Sequence, residues 1–80
     1  MSDTGILNTD YPGGSINEFN IKDTLWTHLK SGKVYKVVSH GFIESTQECV
    51  IIYHGVDATF SWVRPFKEFM DGRFELRVIN

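Results

Sequence analysis

Residues 49–63, Cys-Val-Ile-Ile-Tyr-His-Gly-Val-Asp-Ala-Thr-Phe-Ser-Trp-Val, decide the fold class. The first six form the most apolar stretch of the chain. They are rich in β-branched and aromatic side chains, which fit a pleated, half-buried surface. We read Cys49–His54 as the central strand, Gly55-Val56-Asp57-Ala58 as a turn, and Thr59–Val63 as a further alternating strand. Downstream, Pro65 suits the first position of a helical turn, where its missing N–H is harmless. Phe66, Phe69 and Met70 then share one apolar stripe, and Gly72 is placed to end the helix. Phe74, Leu76 and Val78 alternate with Arg73, Glu75 and Arg77, the pattern of a half-buried strand.

Upstream, Val34-Tyr35-Lys36-Val37-Val38 reads as a strand, Gly41 as a break, and residues 43–48 as a loop or strand edge. Residues 21–30 fit two patterns. Ile21, Leu25 and Leu29 have helical spacing, with Asp23 or Thr24 available as a cap. Leu25, Thr27 and Leu29 also alternate with Trp26 and His28, and the turn at Ser31-Gly32 then makes a hairpin with the next strand. The strand is the preferred assignment. Residues 1–20 form an irregular acidic leader, broken by Tyr11-Pro12-Gly13-Gly14-Ser15. Its scattered Ile6, Leu7, Tyr11, Ile16 and Phe19 are available to dock it on the body or on a neighbouring subunit, and a disordered leader is the alternative. The expected whole is mainly β: residues 21–80 form a small, strongly curved antiparallel barrel of four or five strands, with one helical turn near 65–71.

Composition limits what such a domain does. Eighty residues hold one thin core, and 41% hydrophobic with 22% charged side chains argues against a disordered chain. The run Cys49–Tyr53 is far shorter than the ~20 residues of a membrane helix. No export signal opens the sequence, so a cytoplasmic, membrane-free protein is expected. Eight basic against ten acidic residues give a net charge of -2, which argues against bulk nucleic-acid binding. A nucleic-acid role would need Lys36, Arg73 and Arg77 to cluster. Cys49 is the single cysteine, which excludes an internal disulfide and a multi-cysteine zinc site; its apolar run predicts a buried, inert thiol. His28, His40 and His54 have no metal-ligand spacing, and no serine sits in a nucleophile elbow. No metal, cofactor or catalytic group is therefore expected.

Period-two alternation puts Phe60, Trp62 and Arg64 on one face. Two rings beside a guanidinium suit a planar anionic ligand, because arginine both stacks and donates paired hydrogen bonds to phosphate. The architectural alternative has Phe60 and Trp62 filling the core and Arg64 paired with Glu68. Tyr35, Tyr53 and His54 are amphipathic side chains suited to the wall of a pocket.

Thr27–Val38 (Thr-His-Leu-Lys-Ser-Gly-Lys-Val-Tyr-Lys-Val-Val), Thr46, Val50-Ile51-Ile52-Tyr53 and above all Trp62-Val63-Arg64-Pro65 carry a resemblance. Over about residues 26–74 the chain resembles an uncharacterised family of small bacterial and phage domains. These share a His and a Lys-Gly turn, a Tyr-x-Val strand, a Val-Val-Tyr strand and Trp-Val-Arg-Pro; Phe69 and Arg73-Phe74 fit the closing part. The chain departs from that pattern by an extra residue near Ser31 and by Ile43, where the family places a histidine. The resemblance implies a small barrel similar to an SH3 barrel and brings no established activity. In size and organisation the chain is also similar to small phage proteins that sequester nucleotide signals of bacterial immune systems.

The function expected from the residues is non-enzymatic recognition of a small anionic, nucleotide-like ligand. Trp62 stacks beside Phe60, Arg64 pairs with phosphate, and Tyr35, Tyr53 and His54 form the wall. A barrel this small has little interior to spare, so the pocket is expected at its mouth or between subunits, and homo-oligomerisation with it. The alternative is a protein-interaction module docking through exposed aromatics.

Overall fold

The alternation read from the sequence is realised as strands in a computed structural model, which describes residues 9–11 and 14–77, with side chains from residue 16 onward. The strands are β1 (Thr9–Tyr11), β2 (Gly14–Ile16), β3 (Leu25–His28), β4 (Val34–Phe42), β5 (Cys49–Gly55), β6 (Trp62–Pro65) and β7 (Phe74–Arg77), with a single-turn helix α1 (Phe66–Phe69) before β7. β1 and β2 pair as a separate hairpin within the leader, Asp10 opposite Ser15. The other five strands form one antiparallel sheet in the order β6-β5-β4-β3-β7. It curls strongly into a half-barrel, and its two edge strands do not pair with each other.

Residues opposite one another across a ladder share a face. One inward row runs Leu76–Trp26–Tyr35 across β7, β3 and β4, and another runs Val37–Tyr53–Trp62 across β4, β5 and β6. Trp26, Val37, Ile51 and Tyr53 are buried on this face, with Ile21, Phe66, Phe69 and Phe74 filling the space in front of it. Phe69 stacks on Phe74 with ring centroids 4.3 Å apart and meets Trp26 and Tyr53 edge-on at 5.1 and 5.2 Å. α1 is therefore a plug. It is too short to be stable alone and is held by the two phenylalanines it buries. Half-buried Met70 completes the apolar stripe against the same core.

The 21–30 segment is the strand of the hairpin and not a helix. Gly32, at φ +76°, supplies the positive backbone angle of its turn, and His28 N–H bonds Lys33 O at 2.8 Å. Other boundaries differ from the sequence expectation. Gly41 does not break β4, which continues to Phe42 after a bulge at Val38; Gly41 simply sits opposite Val50. β4, not β5, is then the central strand, with two neighbours on either side. The strand expected at 59–63 begins only at Trp62. Trp62 pairs with Tyr53, so Phe60 would need Gly55 as its partner, and the Gly55 carbonyl already closes the turn to Ala58 N–H at 2.9 Å. Pro65 is the last residue of β6 and the N-cap of α1, not its first helical residue, because its ψ of 138° is extended. A proline is tolerated there because β6 is an edge strand. Cys49 is half-buried, not buried.

Within the leader, half-buried Ile16 packs against the core, while Phe19 projects outward with its ring edge-on to His40 at 5.9 Å. Ile6, Leu7 and Val78 lie outside the described residues, as does the side chain of Tyr11.

Candidate functional site

The turn between β5 and β6 and the start of β4 face one another at one mouth of the half-barrel. Between them lies an open cleft of about 570 Å³, lined by Lys33, Val34, Tyr35, Gly55–Ala58, Phe60 and Trp62. Its volume lies within the ~300–1,000 Å³ range of small-molecule sites. Trp62 reaches the cleft because β6 is an edge strand and its inward row continues beyond the core. Its partner Tyr53 is buried, whereas Trp62 keeps 51% of its surface exposed. Phe60 is 55% exposed and meets Trp62 edge-on, with centroids 5.1 Å apart and planes at 82°. The two rings form a corner and are not consumed by the core. The architectural alternative fails for this pair.

For Arg64 that alternative describes the contacts. Its guanidinium donates from Nε to Tyr53 Oη at 3.0 Å and from Nη1 to Glu68 Oε1 at 3.2 Å. It also lies over the Phe74 ring, 5.7 Å from the centroid. Phe74 belongs to the opposite edge strand, so Arg64 spans the seam that the sheet leaves open. Glu68 in turn is 3.9 Å from Arg73, which is clasped by both Asp71 oxygens. The Arg73 guanidinium holds the Asp71 carboxyl below its usual range, and the same hydrogen bond raises the Arg73 pKa. This chain of charges is a latch across the seam, not a lining of the cleft.

Of the six residues singled out in the sequence, the cleft therefore gathers Trp62, Phe60 and Tyr35. Tyr53 lies behind it as part of the core, linked to the latch through its hydroxyl. His54 pairs with Lys36 across the ladder on the outer face, and its ring bonds the Gly55 carbonyl at 2.7 Å. Alternation along β5 separates it from Tyr53. Lys33 is the cation that sequence reasoning missed. Its position after Gly32 gave no hint, because what brings it to the cleft is the juxtaposition of two turns distant in sequence. Among the described residues it forms no ion pair. Asp57, on the opposite wall, is the one acid lining the cleft.

The other patterns weighed in the sequence fall as follows. Lys36 and Arg77 flank Leu25 on the outer face, but Arg73 lies near the opposite end of β7, so the three do not cluster. Among the described residues no three His, Cys, Asp or Glu side chains are grouped to hold a metal ion. No helix of the described residues is long and apolar enough to cross a membrane. No protein-family model, curated protein or solved structure matches the chain.

Proposed function

We propose that this chain is a non-enzymatic binding module that takes a small, planar, anionic ligand of nucleotide type in the cleft at the mouth of the half-barrel. The observation that carries this reading is the exposed Phe60–Trp62 corner opposite Tyr35, with Lys33, which forms no ion pair among the described residues, at its rim. A base stacks on an indole without regard to sequence, and such a stack is worth about 1–3 kcal/mol. Lys33 supplies the positive charge for a phosphate, the role that the sequence had suggested for Arg64. A module that holds such a ligand without catalysing its conversion acts by withdrawing it from other proteins.

Calorimetric titration with mono-, di- and cyclic nucleotides tests the proposal. Wild-type protein is expected to give saturable heat with at least one of them. Trp62→Ala is expected to weaken binding about tenfold, within the range of one lost stack. Lys33→Gln is expected to weaken it too, and Arg64→Ala to leave it nearly unchanged. Absence of heat across the panel, or full affinity in Trp62→Ala, would remove the nucleotide reading. A second reading, docking of a partner protein, is favoured by one feature: the edge around β6 exposes Phe60 and Trp62 on one face and Val63 on the other.

A further inference from the structure

The two ends of the half-barrel carry opposite chemistry. At the cleft end, the turn between β3 and β4 exposes Lys30 and Lys33, neither with a carboxylate partner among the described residues. Beside them lies the apolar surface of Val56, Phe60 and Trp62, with the single carboxylate of Asp57 on the opposite wall against the two lysines. The nine residues of β4 place its far end about 25 Å away at ~3.3 Å per residue. There the connection from β4 to β5 forms a tip that exposes Phe42 (57%) and Ile43 (41%). Glu44 and Glu48 are exposed on the same connection, again without a charged partner among the described residues. The tip is ordered, since Ile43 N–H bonds Glu48 O at 2.9 Å and Gln47 N–H bonds Ile43 O. Phe42 is further supported by His40, edge-on at 5.8 Å.

An apolar, acidic tip is what an apolar cleft with a basic rim fits, and one chain carries both. We infer that the Phe42–Ile43 tip of one copy seats in the Phe60–Trp62 cleft of another, with Glu44 and Glu48 facing Lys33 and Lys30. Charge dictates head-to-tail assembly. A two-fold pairing of like ends would set lysines against lysines or glutamates against glutamates, whereas tip into cleft pairs opposite signs. Such a contact leaves a free tip and a free cleft at each step, so it builds rings or open chains and not simple dimers. The inference needs the cleft but not the nucleotide, and a ligand held there competes with the neighbour's tip.

Sedimentation of the intact chain into the millimolar range tests it. Wild type is expected to grow beyond a dimer with concentration and to dissociate as salt rises. Phe42→Ser blocks the tip and Trp62→Ala the cleft. Each variant alone is expected to stay monomeric, while an equimolar mixture gives a dimer and stops there, because one intact tip meets one intact cleft. Lys33→Glu serves as a second cleft-blocking variant, and its association is expected to return when it is mixed with Glu48→Lys. A wild type that remains monomeric, or variants that fail to complement on mixing, would overturn the assembly. Phe42 lies far from the cleft, so nucleotide titration of Phe42→Ser tests the ligand reading separately from the assembly.

Discussion

Arg64 has three partners, the Tyr53 hydroxyl, the Glu68 carboxylate and the Phe74 ring, and all belong to the closure of the half-barrel. Removing it leaves the Tyr53 hydroxyl without its donor, so Arg64→Ala is expected to lower stability by about 1–2 kcal/mol in urea unfolding. An unfolding midpoint equal to wild type would show that the latch holds nothing. Glu18 makes the opposite kind of contribution. The residue is 8% exposed, and among the described residues its Oε1 has no hydrogen-bond partner. Burying a carboxylate with one oxygen left unpartnered is unfavourable, so Glu18→Gln is expected to stabilise the fold by about 1 kcal/mol. Burial first, and the charge of Glu18 second, push the Cys49 thiol up. At neutral pH the thiolate fraction is small, and alkylation is expected to be slower than for a free cysteine. Removing the Glu18 charge is expected to speed it, a change that rate measurements on Glu18→Gln would detect.

Among the elements, α1 buries two of its four residues in the core. Phe69 touches Trp26, Tyr53 and Phe74, and Phe69→Ala is expected to cost about 3–5 kcal/mol, enough to leave so small a domain largely unfolded. A cooperative urea transition near the wild-type midpoint would contradict that. The link from α1 to β7 contains one acid-sensitive contact, the exposed clasp of Asp71 on Arg73. A carboxyl held below its usual range contributes stability above its unfolded pKa and loses it as pH falls through the folded value. The Arg73–Asp71 clasp is thus intact at neutral pH and opens only below about pH 4. Asp71→Asn is expected to flatten the acid limb of a stability–pH curve while leaving its slope near neutrality alone. Alternation made β7 legible in sequence, a run of β-branched and aromatic residues did so for β5, and the i, i+3 spacing of Phe66 and Phe69 for α1, whereas β3 was only the preferred of two patterns. The start of β6 was not legible, because it is set by which residue of β5 remains free to pair after the Gly55 turn. Gly41 misled for a related reason: a glycine paired inside β4, where a Cβ would only touch Ile52 and Val50, reads in sequence like a break. At the site, Phe60 and Trp62 were legible as a pair, but Lys33 and the true partners of Arg64 depend on contacts between distant elements.

For the molecule as a whole, exposed aromatic surface is concentrated at the two ends of β4, one end basic and the other acidic. A ligand that binds only the folded chain raises its stability by mass action, about 2.7 kcal/mol at a hundredfold excess over Kd. If the neighbour's tip competes for the cleft, adding that ligand to concentrated protein is expected to reduce its sedimentation coefficient and raise its melting temperature together. The partnership of β3 with β7 has a separate consequence. Leu25 pairs with Arg77, so one flank of β3 waits for a segment translated more than fifty positions later. Until that segment is made, Trp26 lacks Leu76 across the ladder, and Phe69 lacks Phe74 to stack on. The half-barrel therefore cannot close before residues 74–77 are made, and a product cut short ahead of them would present chaperones and proteases with a less covered indole.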